Sequence, residues 1–121
     1  MKHSIRYALV VAAAVLLAGG CAKKQEAKTA ENPSFRIGVS KIVSHPALDA
    51  TEQGIQDELA ARGIPAVFDL QNANGDVNTA TQIAQKFLVD KVDAVVAIAT
   101  PNAIAAANTI KDKPVVFSVI T

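Results

Sequence analysis

Four short runs rich in β-branched residues alternate along the chain with three longer segments whose apolar residues recur at helical spacing. The runs are residues 36–39, 66–70, 92–98 and 115–120. The last two are almost continuously apolar, which is typical of strands covered on both faces. Strand and helix alternate at a repeat of about 20 to 30 residues, and right-handed crossovers then give one parallel sheet with helices on both faces. The pattern predicts the α/β fold class.

The three amphipathic segments carry end signals. The first is expected to lie within residues 45–63, because Pro46 suits the first helical position and a glycine stands at the far end. The second has a strong apolar stripe, and either Asp76 or Asn78 is expected to cap it. The third, residues 102–110, is short and rich in alanine.

The fourth apolar run ends at residue 120, directly before the last residue, so no helical segment follows it. A hydrophobic strand in an open sheet needs cover on both faces. About 87 residues follow the polar segment, enough for one small domain or for part of a larger one. We therefore expect residues 35–121 to be a truncated α/β lobe of a longer protein.

The first twenty residues have the pattern of an export signal. Lys2 and Arg6 precede an unbroken apolar stretch, residues 8–17. A helix of that length reaches only about 15 Å, half of a typical ~30 Å hydrocarbon core, so a permanent transmembrane helix is not expected. Residues 1–20 are therefore predicted to be a signal peptide.

Small residues crowd in front of Cys21, the only cysteine in the chain. This stretch resembles a lipobox, the motif at which a cysteine is acylated and the peptide is cut in front of it, although Ala18 stands where a large aliphatic residue is usual. An ordinary secretory signal that ends near a cysteine is the alternative. Ala22 is not the aspartate that retains many lipoproteins at the inner membrane. We expect a lipid anchor at Cys21 on the extracytoplasmic side, with outer-membrane sorting favoured in a cell with two membranes.

Residues 21–34 are polar and charged and hold little to bury, which is typical of a lipidated N-terminus followed by a flexible tether. Removal of the signal peptide takes away two of twelve basic residues, leaving ten against eleven acidic ones. This nearly neutral charge balance does not indicate a nucleic-acid-binding protein. With Cys21 acylated no thiol remains, so the body is expected to fold without disulfides.

Ligands of open parallel sheets bind beyond the carboxyl ends of the strands. The segments there contain neither a glycine-rich phosphate loop nor a dinucleotide fingerprint, so no cofactor is expected. One histidine remains after processing, which is too few ligands for zinc. The adjacent Ser44 and His45 cannot readily form a nucleophile and base pair. An enzyme is therefore not expected, and an exported α/β enzyme is kept only as a remote alternative.

Two turns at this edge are the candidates for binding. Residues 71–76 contain an Asn-Gly turn and a capping aspartate, with a place at a cleft rim as the alternative to a purely structural role. Thr100 and Pro101 stand where the third strand meets a helix. A helix start presents free backbone N–H groups, and with the threonine hydroxyl it suits a carboxylate.

Four segments in this order carry a resemblance to a known family: residues 45–50, 71–76, 98–101 and 114–121. From residue 36 onward the chain resembles the solute-binding lipoproteins of ABC importers in the tryptophan/tyrosine-binding group, which have a type I periplasmic-binding-protein fold. The resemblance implies a partial N-terminal lobe. It also implies a small molecule, often an aromatic amino acid, held between two lobes and presented to the permease and ATPase subunits. A lipoprotein sensor of the same fold that signals to a membrane receptor kinase is the alternative.

On this interpretation the ligand contacts lie where the strands end. Ser44 is expected as a polar contact, Thr100 as a hydroxyl donor, and the helix start beyond it as a source of backbone N–H groups. The chain departs from the family pattern at Ile104, where a polar amide is common. The full set of predicted contacts is Ser44, Thr100, Pro101, Asn102, Ala103 and Thr121.

Overall fold

Four strands and three helices alternate along residues 34–121, the part of the chain that the computed structural model describes. They are β1 (Phe35–Lys41), α1 (Pro46–Ala61), β2 (Ala66–Asn72), α2 (Val77–Val89), β3 (Ala94–Ile98), α3 (Thr100–Thr109) and β4 (Val115–Ser118). The predicted signal peptide, Cys21 and nearly all of the tether lie outside these residues. No helix within residues 34–121 is long and apolar enough to cross a membrane.

All four strands run parallel in one sheet with the order β2-β1-β3-β4. The central β1 pairs with both β2 and β3, so that Gly38 stands opposite Asp69 on one side and Val95 on the other. This arrangement confirms the predicted α/β class and the parallel sheet. The step from β1 to β2 goes in one direction across the sheet, and the steps from β2 to β3 and from β3 to β4 go in the opposite direction. Right-handed crossovers therefore put α1 on one face and the later helices on the other.

The hydrophobic core has one layer on each face of the sheet. On the α1 face, Leu48 packs with Val39 and Ile98, both of which are fully buried. On the opposite face, side chains of α2 and α3 pack over Val95 and around Phe87, which has no exposed surface. Because the sheet is covered on both faces along its centre, β3 is apolar at every position.

Helix α2 packs an aromatic ring directly against the backbone of β1 at Gly38, which has no side chain. The Phe87 ring occupies the space above this glycine, and a Cβ built there would lie 2.8 Å from the ring. A glycine inside a strand weakens it unless another group needs the close approach. Here the aromatic ring is that group.

The second helix is fixed at both ends by charged side chains. Asp76, one of the two predicted caps, accepts a hydrogen bond from the Thr79 amide at 2.5 Å, and this bond holds the pKa of the Asp76 carboxyl below its usual value. Near the other end Lys86 pairs with Asp69 of β2. Burial raises the pKa of Asp69, but hydrogen bonds from Lys86 and Gln71 outweigh it and leave that pKa lowered. Both aspartates therefore favour the folded state in their ionised form.

Strands β1 and β2 extend beyond the predicted runs, to Lys41 and Asn72, and three further boundaries differ from the sequence prediction. Helix α3 begins at Thr100 and not at residue 102, because Ala99 takes the N-cap position without a side-chain hydrogen bond. Strand β4 ends at Ser118, since Val119 turns the chain with a φ of 55°. Strand β3 begins only at Ala94, after a turn in which Lys91 has a φ of 52°.

Candidate functional site

The carboxyl ends of all four parallel strands meet at one edge of the sheet, here called the carboxyl edge. Each helix begins there, directly after a strand: α1 at Pro46, α2 at Val77 and α3 at Thr100. The N-terminus of a helix carries unpaired N–H groups and a partial positive charge. The edge is therefore suited to an anionic group, and all six predicted ligand contacts lie at or beside it, the last of them being Thr121.

On one side of the edge, the loops after β1 and β2 are tied together. Ser44, which is exposed, accepts a hydrogen bond from the Asn72 amide at 3.0 Å. The backbone N–H groups of Ala73 and Gly75 donate to Lys41 and Ile42 across the same gap, at 2.9 Å and 2.6 Å. The structure thus places Ser44 at the edge, beside the turn for which a place at the cleft rim was one of two alternatives, and within residues 34–121 its hydroxyl proton has no acceptor.

On the other side, the Thr100 hydroxyl is bound to the backbone of Thr121. Its oxygen lies 3.2 Å from both the carbonyl oxygen and the amide nitrogen of Thr121, so it donates to one and accepts from the other. The adjacent Ala99 amide donates to Ser118 at 3.0 Å. The two predicted contacts Thr100 and Thr121 are therefore brought together. The hydroxyl proton is engaged within the protein, and its donation to a ligand stays a prediction.

Two residues with strained backbone conformations lie on this side of the carboxyl edge. Ala99 has a φ of 75° and a ψ of 152°, and Val119 has a φ of 55°, a conformation that β-branched residues rarely adopt. Each such residue costs about 1 to 3 kcal/mol and persists only where its surroundings impose it. Strained residues cluster at ligand sites in proteins. Here Ala99 donates the hydrogen bond to Ser118 at the carboxyl edge, and Val119 directly follows the acceptor.

One of the backbone amides expected to be free at the start of α3, that of Ala103, is engaged within the helix. The Ala103 amide donates to the Ala99 carbonyl at 3.0 Å, and Pro101 has no N–H. Helix geometry leaves the amides of Thr100 and Asn102 without an intrahelical partner. A contact to a ligand through Ala103 therefore stays a prediction that this geometry does not favour, whereas the other two amides remain suitable. Ile104, in the same first turn, is more than half exposed.

Beneath this turn lies a buried polar contact that the sequence analysis missed. Asn102 is only 1% exposed, and its side-chain amide donates to the hydroxyl of Ser40, which is 4% exposed. Ser40 lies in β1, 62 positions earlier in the chain. Asn102 was expected at the edge through its backbone alone, and Ser40 was not expected to contribute.

A second cluster that was missed is charged. The ammonium of Lys41, the last residue of β1, lies 2.6 Å from Asp49 and 3.0 Å from Glu52. The hydrogen bond to Asp49 raises the pKa of Lys41 against the opposing effect of burial, and Glu52 adds to the rise. Acidic residues in the first turns of α1 also suit the helix dipole.

An apolar groove of about 570 Å³ lies on the α1 face beside β4 and runs along the strands from Ala94 to Ser118. Its lining is almost entirely apolar and includes Ile55 of α1 and Val116 of β4. Val116 and Phe117 are 55% and 49% exposed, in line with the expectation that the fourth strand lacks full cover. Few polar groups reach the groove, so it offers little to orient a polar solute. Residues 34–121 contain no cluster of three or more potential metal ligands.

In a parallel α/β sheet, a carboxyl edge bordered by helix starts and polar groups is the place where small molecules bind. The family model described as ABC transporter substrate binding protein matches residues 36–121. This chain belongs to that family. This match confirms the resemblance seen in four sequence segments. The family consists of substrate-binding proteins and not of enzymes.

The chain is similar to a tyrosine-binding protein of Clostridioides difficile (strain R20291), with 37% identity over 107 residues. The match covers 85% of this chain and 31% of that relative. The chain therefore spans less than a third of the curated relative that it matches.

Solved structures agree with the fold. A conserved domain protein from Vibrio cholerae is 42% identical, with a TM-score of 0.71 over 74% of this chain and 31% of that one. A ligand-free, open substrate binding protein with adhesive properties from Clostridium difficile is 41% identical, with a TM-score of 0.69 over 72% and 31%. An ABC domain from Streptococcus pneumonia in complex with L-Trp is 41% identical, with a TM-score of 0.66 over 70% and 29%.

Proposed function

We propose that residues 35–121 are part of the N-terminal lobe of an extracytoplasmic solute-binding lipoprotein that captures an amino acid, with aromatic ones favoured, for an ABC importer. The observation that carries the proposal is the convergence of the helix starts of α1 and α3 on the carboxyl edge, with the free amides of Thr100 and Asn102 on one side and Ser44 on the other. The tyrosine-binding relative and the L-Trp complex support an aromatic amino acid as the ligand.

The proposed mechanism needs no bond chemistry. The carboxylate of the amino acid binds at the start of α3, where the helix dipole and two unpaired amides favour negative charge. The rest of the solute then contacts a second lobe. A ligand that touches both lobes binds the closed form more tightly than the open one, so it shifts the hinge equilibrium towards closure. The permease then recognises the closed form.

A binding screen tests this function on the complete mature protein that contains these residues. L-tyrosine or L-tryptophan is expected to raise its Tm by several degrees, because a ligand that binds only the folded state stabilises it. The methyl ester of the same amino acid lacks the carboxylate charge and is expected to bind at least tenfold more weakly by calorimetry. Absence of stabilisation by every amino acid would remove the proposed ligand class. Residues 21–121 alone, with one partial lobe, are expected to show negligible affinity.

The anchor is a separate part of the proposal. The stretch before Cys21 resembles a lipobox, and the polar residues after it suit a tether. The Cys21→Ser variant is expected to leave the membrane fraction and to lose incorporation of a labelled fatty acid, because acyl chains supply the membrane affinity. Equal labelling of the variant and the wild type would contradict the anchor. A neighbouring gene for a receptor kinase, in place of permease and ATPase genes, would favour sensing over import.

A further inference from the structure

We infer that the buried contact between Ser40 and Asn102 positions the first turn of α3 for ligand binding, so that both are positioning residues of the solute site. The inference rests on the proposed function and extends it to two side chains that do not reach the solute. Ser40 belongs to β1 and Asn102 is the third residue of α3, so the contact joins the central strand directly to the helix start at the carboxyl edge.

The pair is polar where its surroundings are apolar. Asn102 is fully buried, and within residues 34–121 its side-chain oxygen has no hydrogen-bond partner. Turning the amide over does not remove the problem, because one of its two polar atoms would still meet the Ser40 hydroxyl and the other would still be unpaired. Burial of an unpaired polar atom is unfavourable. The contact is therefore not the most stable solution for this part of the core.

Two apolar side chains at positions 40 and 102 would pack at least as well. The buried positions around Asn102 in α3 are alanines, namely Ala103, Ala105 and Ala106. Replacement of both partners of a buried hydrogen bond by apolar groups of similar shape can be neutral or stabilising. An apolar pair has no preferred contact angle. A hydrogen bond does have one, so it fixes the rotation of the helix about its axis more tightly than apolar contacts do.

That rotation matters because the unpaired amides of Thr100 and Asn102 lie in the same turn. Asn102 contributes its backbone N–H to the edge while its side chain is held from below by Ser40. A small rotation of the turn redirects both N–H groups away from a bound carboxylate. Binding energy depends on such preorganised donors, so loss of the contact is expected to weaken binding without unfolding the protein.

The decisive variant is Ser40→Ala/Asn102→Leu in the complete mature protein. Leucine has the branched shape of asparagine, and the alanine makes room for its methyl groups. The Tm is expected to equal or exceed that of the wild type, whereas the Kd for L-tyrosine or L-tryptophan is expected to rise at least tenfold. Ser40→Ala alone leaves both polar ends of Asn102 unpaired, so its Tm is expected to fall. Recovery of stability without recovery of affinity separates a positioning role from a purely structural one.

Ile83→Val, a core substitution in α2, is the matched control: it lowers the Tm and is expected to leave the Kd unchanged. A double variant with wild-type affinity would overturn the positioning role. If the wild type itself binds no amino acid, the proposed function fails, and the inference is then judged by amide hydrogen exchange. Exchange at Ala103 at least tenfold faster in the double variant, at unchanged Tm, supports the positioning role, and an equal rate refutes it.

Discussion

Replacement of Gly38 by alanine is expected to destabilise the domain by about 2 to 3 kcal/mol, a large effect for a single added methyl group. The new Cβ would lie 2.8 to 2.9 Å from three carbons of the Phe87 ring. The ring has no exposed surface and packs between the sheet and α2, so it cannot move aside without displacing the helix. The lower backbone entropy of alanine in the unfolded chain offsets only about 0.5 to 1 kcal/mol of this cost.

Urea unfolding followed by circular dichroism measures the effect, and the molecule supplies a matched control. Gly54 lies in α1, and a Cβ built there meets no atom within 4 Å. The same substitution at Gly54 is expected to stabilise the protein by about 0.5 to 1 kcal/mol, because glycine is a poor helix former. In Gly38→Ala/Phe87→Leu the smaller side chain makes room, so the two changes should cost less together than the sum of their separate effects. Wild-type stability of Gly38→Ala would show that the ring does not define the distance between α2 and β1.

The architecture was predictable because buried parallel strands appear in a sequence as nearly continuous apolar runs. The runs that form β3 and β4 are almost continuously apolar, and three amphipathic segments of helical length lie between the four runs. The cap at Asp76 was one of two predicted candidates, since a short acidic side chain before an apolar stripe is a local signal. The positions of the helix starts at the carboxyl edge then followed from the parallel arrangement alone.

The contacts inside the candidate site were not predictable in the same way. The hydrogen bond between Ser40 and Asn102 joins residues 62 positions apart, and no local pattern records such a pairing. The start of α3 was placed two residues late because Ala99 caps the helix through its strained backbone and not through a side chain. Lys41 and its carboxylate partners meet only because β1 and α1 pack against each other. Side-chain geometry of this kind depends on tertiary packing, which the periodicity of the sequence does not specify.

Replacement of Lys41 by methionine is also expected to cost about 2 to 3 kcal/mol at neutral pH. The side chains of Lys41 and Glu52 are each only 12% exposed, and the second carboxylate oxygen of Glu52 already has no hydrogen-bond partner within residues 34–121. Without the ammonium, Glu52 and the more exposed Asp49 face each other with no opposite charge between them. Removal of one member of a fully buried ion pair costs about 3 to 5 kcal/mol, and partial exposure reduces that figure here.

The dependence on pH and two further variants test this explanation. Because the pKa of Lys41 is raised in the folded state, the wild type keeps its advantage below the ordinary lysine pKa of about 10.4 and loses it as the pH rises through the folded value. The stability gap to Lys41→Met should therefore be constant near neutrality and narrow in alkali. Lys41→Met/Glu52→Gln removes both charges of the more buried pair and is expected to recover part of the loss. Lys111→Met, at an exposed site, should change stability by no more than about 0.5 kcal/mol. A Lys41→Met variant as stable as Lys111→Met would mean that solvent, and not the ammonium, balances the two carboxylates at the start of α1.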